Sequence, residues 1–232
     1  MPQPDVAFIQ IAGRSIAYRL RPGASPALLF LPGYASDMEG AKALALDGFA
    51  ERRGLAMLRI DYSGTGSSPG EFADGTLALW LEEALAALDR LTQGPLIIVG
   101  SSMGGWLAYH LGLLRPERVE AVVGIAAAPD FTDWGFADGE AAERQGLSQG
   151  FWESGQRLLL LDGDIPLDCP VRLIHGELDK DVPSTITIQT MERLRSADVQ
   201  LNLIKGGGHR LSEPREIEAI LRTVATLLEP AP

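Results

Sequence analysis

Two adjacent serines lie within a short run of small residues, Gly100-Ser101-Ser102-Met103-Gly104, where an apolar segment gives way to a helical pattern. The run matches G-x-S-x-G, in which the central serine, here Ser102, occupies a sharp strained turn between a strand and a helix. Glycines two residues to either side remove the Cβ atoms that would collide in such a turn. The pattern therefore predicts that Ser102 is a nucleophile and that Ser101 points away. A plain tight turn is the alternative.

A serine nucleophile needs a general base, and the sequence contains three histidines. When the reacting residues follow the chain order serine, acid, histidine, the base comes last. His209, in the glycine loop KGGGHRL after the last strand, is therefore the predicted base. His110 falls within the helix that follows Ser102, where packing or a surface role is expected. His175 falls at the end of a strand, where it is expected to brace the following turn.

The acid that orients the imidazole is predicted in the segment LIHGELDKDVP, directly after the penultimate strand. The carboxylate must accept the imidazole N–H and stay ionised as the imidazolium forms. Asp179 is favoured because it begins the run D-x-x-V-P, which leads into the next helix. Glu177 and Asp181 are the alternative acids. If they are not the catalytic acid, they are expected to be acidic residues that interact favourably with the positive end of that helix.

Backbone N–H groups are predicted to stabilise the negative charge that develops on the substrate oxygen. One donor is the N–H of Met103, which follows the nucleophile at the positive end of a helix. The other is the N–H of Tyr34 in the loop LPGYASDMEG, where Gly33 permits a sharp turn. The alternative for Tyr34 is that its ring only packs against neighbouring side chains. Chemistry of this kind needs neither a metal nor a cofactor.

The elements that must position these residues alternate between apolar strands and amphipathic helices. After a short hairpin at Gly13, strands are predicted at 26–33, 55–61, 95–101, 119–129, 170–176 and 199–207, and helices at 38–53, 76–91, 103–114, 184–195 and 214–228. Continuous apolar runs are typical of parallel strands that are covered on both faces. The sequence therefore predicts a single α/β domain, residues 1–232, with a mostly parallel central sheet between two layers of helices.

The alternation is interrupted at residues 130–168, where aromatic residues are mixed with charges and glycine. A connection of this length is usually a functional lid or disordered, and its aromatic content favours a packed lid after the sixth strand. Its aromatic side chains are candidates for lining an apolar acyl pocket, with lid-to-body packing as an equal alternative. They are Trp134, Phe136, Phe151 and Trp152.

The overall charge limits the partners of the protein. Acidic residues number 31 and basic residues 20, which gives a net charge of −11. This excess argues against a nucleic-acid partner and an anionic membrane surface, and it disfavours a strongly anionic substrate unless a local cluster of arginines reverses it. Arg210, beside the predicted base, could meet a carboxylate or phosphate of the leaving group. A solvated or ion-paired surface role is its commoner alternative.

Several features predict a protein of the cytoplasm. The single cysteine, Cys169, cannot form an internal disulfide, no signal peptide is predicted, and no segment reaches the roughly 18 apolar residues that a membrane span needs. Only three of the 20 basic residues are lysine, a bias that hints at a bacterial genome. The expected partner is a small-molecule or acylated-protein substrate, without nucleic acid or a membrane span. The expected state is a monomer or homodimer.

The segments FLPGYASDMEGAKA, DYSGTGSS, VGSSMGGW, LIHGELDKDVP and GGGHRLSEP resemble the α/β-hydrolase superfamily, over about residues 5–229. Within it they resemble a branch that contains a mitochondrial palmitoyl-protein thioesterase, also an esterase of the acyl glucuronide of mycophenolic acid, and bacterial relatives. The resemblance implies Ser102, Asp179 and His209 as nucleophile, acid and base. It also implies cleavage of ester or thioester bonds of an apolar acyl group through an acyl-enzyme.

Two alternatives to this activity differ in kind. One is another hydrolase of the same fold, a small-ester carboxylesterase or an aminopeptidase, because the catalytic machinery is shared and specificity depends on the lid. The other is a binding protein that has kept the hydrolase scaffold and lost its activity. Such proteins normally lack one of the three catalytic residues, and all three are present in this sequence.

Overall fold

The computed structural model describes residues 3–228, and the apolar segments within them form eight strands. These are β1 (Ala7–Ile11), β2 (Arg14–Arg21), β3 (Ala24–Leu31), β4 (Leu55–Ile60), β5 (Leu96–Ser101), β6 (Val119–Ile125), β7 (Val171–Gly176) and β8 (Val199–Ile204). Their order across the sheet is β1-β2-β4-β3-β5-β6-β7-β8. The β1–β2 and β2–β4 pairs are antiparallel and the other pairs are parallel. The predicted mostly parallel sheet is confirmed.

Helices connect these strands and flank the sheet. They are α1 (Ala41–Arg53), α2 (Leu77–Leu91), α3 (Met103–Leu114), α4 (Phe131–Trp134), α5 (Gly139–Arg144), α6 (Gln149–Gln156), α7 (Ser184–Arg193) and α8 (Pro214–Thr226). Side chains cap the starts of two long helices: the Thr76 hydroxyl accepts the Leu79 N–H at 3.2 Å in α2, and Glu213 and Glu216 form a capping box in α8. Within residues 3–228, no helix has both the length and the apolar character to span a membrane.

Three predicted helix boundaries are wrong by two residues or more: the helix predicted over 214–228 ends at Thr226, and buried contacts explain the other two. The helix predicted from residue 38 begins at Ala41, because Met38 is buried and its N–H donates to the Asp61 carboxylate at 2.7 Å. The helix predicted to end at residue 195 ends at Arg193, because Leu194 turns away to pair with Ile165. Both contacts join residues far apart in the chain, which a local pattern does not record.

Apolar side chains on both faces of the sheet explain why the central strands read as continuous apolar runs. In β3, Leu29 and Leu31 pack in the core that includes α2 and α3. Leu28 and Phe30 point to the opposite face and pack in the core that includes α1 and α8. Successive side chains of a strand alternate between faces. The sheet is therefore a rigid layer whose carboxyl edge can hold side chains in fixed positions.

Three short helices, α4 to α6, occupy the interval between β6 and β7 where the sequence predicts an insertion. Its two ends are tied together by buried Asp130, whose carboxylate accepts the N–H of Leu160 at 2.9 Å and of Leu161 at 2.7 Å. Burial raises the pKa of Asp130 to about 6 against the opposing effect of these hydrogen bonds. The insertion is thus anchored at its base; that it acts as a lid stays a prediction.

Candidate active site

Ser102 lies at the turn between β5 and α3 in a strained backbone conformation, with φ 54° and ψ −122°. The glycines around it are required by close backbone contacts. A Cβ at Gly104 would lie 2.2 Å from the Leu31 carbonyl oxygen, and a Cβ at Gly100 would lie 2.1 Å from the Gly104 oxygen. The strained turn predicted from G-x-S-x-G is therefore present, and it raises the Ser102 hydroxyl at the carboxyl edge of the sheet.

The neighbouring strand holds this turn in place. The Ser102 N–H donates to the Ile125 carbonyl at 2.9 Å, and the Ser102 carbonyl accepts the N–H of Ala128 at 3.1 Å. Ser101, by contrast, ends β5 and is buried. Because the chain is held on both sides of the turn, the hydroxyl of Ser102 is fixed relative to residues that follow the more distant strands.

His209 reaches Ser102 from the glycine loop after β8. Its Nε2 lies 3.0 Å from Ser102 Oγ, and its Nδ1 lies 2.8 Å from Asp179 Oδ2. A neutral imidazole that donates from Nδ1 to the carboxylate would accept the serine proton at Nε2. The structure thus brings together the three residues predicted as nucleophile, acid and base, from positions 107 and 30 residues apart.

Asp179 is held in the turn after β7, and its side chain is only 1 % exposed. Its Oδ1 accepts the backbone N–H groups of Asp181 and Val182, both at 2.9 Å. Burial acts to raise the pKa of Asp179, but the hydrogen bonds from His209 and these two N–H groups outweigh it and lower the pKa below its usual value. The carboxylate therefore stays ionised, as an orienting acid must.

The two alternative acids lie elsewhere. Glu177 accepts the N–H of Gly206 at 3.0 Å, so it supports the loop that carries His209. Asp181 is exposed and contacts Asp179 through its backbone. Among the three acids predicted from this segment, only Asp179 hydrogen bonds the imidazole.

The other two histidines have structural contacts. His110, in α3, has Nε2 3.0 Å from the Leu158 carbonyl oxygen. His175 is fully buried, with Nε2 3.0 Å from the Val182 carbonyl oxygen and Nδ1 2.7 Å from the Thr187 hydroxyl. The prediction that His175 braces the turn of the acid is confirmed. Burial lowers the pKa of both imidazoles, which favours their neutral form.

Two backbone N–H groups flank the serine. Met103 begins α3, so its N–H has no acceptor within the helix. The loop from β3 passes directly over the serine, since a Cβ at Gly33 would lie 3.2 Å from the Cβ of Ser102. Within residues 3–228, the N–H groups of Tyr34 and Met103 hydrogen bond no protein acceptor. Both are available to a substrate oxygen.

A cavity of about 470 Å³ opens at Ser102 and His209. Besides these two residues, its walls include Phe30, Gly33, Tyr34, Ala35, Ser36, Asp37, Gly40, Ala41, Lys42, Ala43, Ser101, Arg210 and Ser212. We call it the catalytic cavity. Sequence reasoning missed Lys42; the only signal for it was a lysine near the start of a helix in a chain with three lysines.

A second cavity of about 470 Å³ lies against the insertion. Its walls are Tyr34, Phe72, Ala73, Gly75, Glu143, Gly146, Leu147, Ser148 and Phe151. We call it the lid-side cavity. Tyr34 borders both cavities and packs edge-on against Phe151 with ring centroids 5.3 Å apart. Tyr34 therefore connects the two sets of lining residues, with its ring packed against Phe72 and Phe151 on the lid side.

Of the four insertion aromatics predicted to line the substrate pocket, Phe151 borders the lid-side cavity. Trp134, Phe136 and Trp152 border neither cavity and pack against the core. The Trp134 indole N–H donates to a backbone carbonyl at the base of the insertion. A role in substrate binding stays a prediction for all four.

One group of side chains within the described range, Asp179, Asp181 and His209, has ligand atoms close enough together to hold a metal ion. The Asp179 oxygens and His209 Nδ1 already hydrogen bond one another or the backbone. These atoms therefore serve the Ser–His–Asp chain as they stand.

Comparison with known proteins bears on the same residues. The family model of the alpha/beta hydrolase fold matches residues 26–157, more than half of the chain. The chain belongs to the α/β-hydrolase family. Its strand order, helices on both faces and serine at the turn after β5 are the features by which the family is recognised.

This α/β-hydrolase is similar in sequence and in structure to proteins from mammals and bacteria. The human mitochondrial palmitoyl-protein thioesterase ABHD10 is 36 % identical over 235 residues, which cover 93 % of this chain and 77 % of the human protein. The structure of alpha/beta hydrolase domain-containing protein 10 from mouse superposes with a TM-score of 0.90 at 34 % identity, covering 97 % of this chain and 98 % of that one. The crystal structure of a putative hydrolase from Agrobacterium vitis S4 superposes with a TM-score of 0.90 at 36 % identity, covering 99 % of this chain and 100 % of that one. The likeness therefore extends through the insertion.

Proposed function

We propose that this α/β-hydrolase is a serine hydrolase that cleaves carboxylic ester or thioester bonds of apolar acyl groups through an acyl-enzyme. The continuous hydrogen-bonded chain from Ser102 through His209 to Asp179 carries the proposal. A relative named as a palmitoyl-protein thioesterase, 36 % identical over most of the chain, supports the choice of acyl substrates. The substrate is a small-molecule ester or thioester or an acylated protein, and the leaving group is the alcohol or thiol that carried the acyl group. A cytoplasmic location and a monomeric or homodimeric state stay predictions.

In the proposed cycle, Ser102 Oγ attacks the acyl carbonyl while His209 Nε2 takes the hydroxyl proton. The N–H groups of Tyr34 and Met103 stabilise the oxyanion, and each such donor typically contributes about 3 kcal/mol to transition-state stabilisation. His209 then gives its proton to the leaving oxygen or sulfur, and the acyl-enzyme forms. Water, deprotonated by His209, releases the acid and restores Ser102.

The apolar acyl chain is proposed to pass over Tyr34 into the lid-side cavity. That cavity carries the aromatic rings of Phe72 and Phe151 and the side chain of Leu147, whereas the catalytic cavity carries mostly polar and charged side chains. An acyl chain in the lid-side cavity would contact these apolar side chains, and burial of each methylene typically contributes about 0.8 kcal/mol. The preference for apolar acyl groups would therefore be determined by Tyr34 and the other walls of the lid-side cavity.

Acyl-chain dependence tests this assignment. We expect hydrolysis of p-nitrophenyl esters to rise in kcat/KM from acetyl towards palmitoyl, with an S-palmitoyl thioester also cleaved. Ala73→Phe, which fills the lid-side cavity from its exposed rim, should lower the palmitoyl-to-acetyl ratio at least about tenfold. The matched Ala197→Phe, at an exposed site outside both cavities, should leave the ratio unchanged.

Other outcomes separate the alternatives. Hydrolysis confined to short esters, with a ratio insensitive to Ala73→Phe, would make the protein a small-ester carboxylesterase. Cleavage of aminoacyl p-nitroanilides in preference to esters would make it an aminopeptidase. Absence of all hydrolysis in a folded protein would leave a binding protein on this scaffold and would contradict the proposal.

A further inference from the structure

The catalytic cavity has a positively charged wall in a chain that is strongly acidic overall. Lys42 and Arg210 border it, and Asp37 is the carboxylate residue on its walls. The net charge of the chain is −11, so the cavity reverses the prevailing sign locally. A local excess of positive charge of this kind allows an anionic substrate to bind despite the negative net charge of the chain.

Lys42 lies in the first turn of α1, partly withdrawn from solvent. Its ammonium donates to the backbone carbonyl of Arg210. Within residues 3–228, no carboxylate lies within 4 Å of this ammonium. Burial lowers the pKa of Lys42 to about 8, with Glu216 opposing and Arg210 reinforcing the shift. A half-buried ammonium without a carboxylate partner is stabilised by any anion that reaches it.

Arg210 follows the proposed base directly, and its side chain is exposed at the cavity. Within the described part of the chain, its guanidinium forms no ion pair or hydrogen bond with another residue. It therefore has all five N–H donors available, in the planar arrangement that matches carboxylate and phosphate oxygens. Lys42 and Arg210 together offer two cations that form no close ion pair with a carboxylate within residues 3–228.

The backbone contributes in the same direction. The start of α1, at Gly40, Ala41 and Lys42, lines the catalytic cavity. The first turn of α1 carries no acidic side chain, and no side chain caps it. Free N–H groups at a helix start favour negative charge. This feature supports the two cations.

The position of His209 decides which part of a substrate would meet these cations. The imidazole must deliver its proton to the leaving atom, so the leaving group lies against His209. Arg210 follows His209 in sequence, and Lys42 binds the carbonyl of Arg210. The acyl chain, by contrast, is directed over Tyr34 to the lid-side cavity.

We propose that Lys42 and Arg210 form a subsite for an anionic group, a carboxylate or a phosphate, carried by the leaving group of the substrate. The subsite rests on the proposed hydrolase function. It makes Lys42 a residue that determines specificity, selecting leaving groups by charge while the acyl side selects by apolar surface. Because the chain is negatively charged overall, we expect this preference for anionic groups only inside the catalytic cavity.

Matched esters test the subsite. The substrates are octanoyl esters of 3-hydroxybenzoate and of 3-hydroxyphenyl phosphate, compared with the neutral ester of methyl 3-hydroxybenzoate. We expect the wild type to favour the anionic esters through KM. Lys42→Met should lower the anionic-to-neutral ratio of kcat/KM about tenfold. Lys42→Arg should keep most of the ratio, and Lys205→Met, at an exposed site outside the cavity, should leave it unchanged.

The carboxylate and phosphate arms distinguish the two sources of negative charge, since a preference for one ester over the other identifies the natural group. If Lys42→Met lowers kcat/KM for anionic and neutral esters by the same factor, Lys42 only positions the loop of His209, and the subsite is wrong. Equal KM values for the anionic and neutral esters in the wild type would also overturn it.

The dependence of KM on pH gives a second test of the subsite. Lys42 loses its proton above about pH 8, so KM for the carboxylate ester should rise between pH 7 and pH 9 in the wild type. Lys42→Arg should remove this rise, because arginine stays charged. The other ionisable groups around Lys42, namely Asp37, His209, Arg210 and Glu216, are common to both proteins. A rise of equal size in Lys42→Arg would contradict the assignment.

Failure of hydrolysis and failure of the subsite are distinguishable. If the wild type cleaves none of the esters, the proposed hydrolase function fails. The subsite is then judged by calorimetric titration of 3-hydroxybenzoate and phenyl phosphate into the wild type and Lys42→Met. A Kd that rises at least about fivefold in the variant supports it, and equal Kd values or no binding to the wild type overturn it.

Discussion

Ser102→Ala is expected to lower kcat/KM for every ester by about 10⁴ to 10⁶, leaving only the contribution of binding and the oxyanion donors. The alanine keeps Cβ and so keeps the strained turn at φ 54°, while it removes the hydroxyl oxygen that is proposed to attack the carbonyl. Because His209 and Asp179 lose their function with it, His209→Asn should cost a similar factor. Steady-state kinetics with a p-nitrophenyl ester measures the loss.

Two controls keep this result interpretable. Ser67→Ala, at an exposed site away from both cavities, should retain wild-type kinetics. Thermal unfolding of Ser102→Ala should lie within a few degrees of the wild type, since no contact in the core changes. A folded Ser102→Ala protein with near wild-type activity would reduce the G-x-S-x-G run to a turn without chemistry.

Asp179→Asn is expected to lower kcat by about 10⁴. An asparagine at this position presents an amide group to His209, which disturbs the tautomer that accepts the serine proton and removes the charge that stabilises the imidazolium. The lowered pKa of Asp179 means that the wild type supplies this charge throughout the neutral range.

Asp181→Asn is the matched control for this substitution. It changes an exposed carboxylate two residues away and keeps the backbone N–H that donates to Asp179 at 2.9 Å. We expect kcat within about twofold of the wild type. If instead Asp181→Asn caused the larger loss, the acid would have been assigned to the wrong carboxylate of the segment.

The sequence predicted well wherever a short segment carries its own physical reason. Apolar runs such as β3 and β5 are long enough to identify buried parallel strands. In the G-x-S-x-G run, the need for Gly100 is local, because a Cβ there would collide with the Gly104 backbone, whereas Gly104 is needed because of the distant Leu31 backbone. The chain order of serine, acid and histidine then left one histidine and three acids, and Asp179 is the acid that the structure brings to His209.

The sequence predicted less where distant segments meet. Asp130 binds the backbone 30 residues later, and Lys42 binds a carbonyl 168 residues later. Neither contact leaves a periodic signal. The aromatic residues of the insertion were visible as a composition, but which of them borders a cavity depends on the angles of three short helices. Hence Phe151 borders the lid-side cavity and Trp134 packs against the core.

The central claim, that Ser102 is the nucleophile, is tested most directly by labelling with a fluorophosphonate and measuring the intact mass. We predict one adduct per chain, which fragmentation of the peptide places on Ser102 and not on the adjacent Ser101. The adduct should be absent in Ser102→Ala and strongly slowed in His209→Asn. An adduct on Ser101, or no adduct on the folded wild-type protein, would contradict the account.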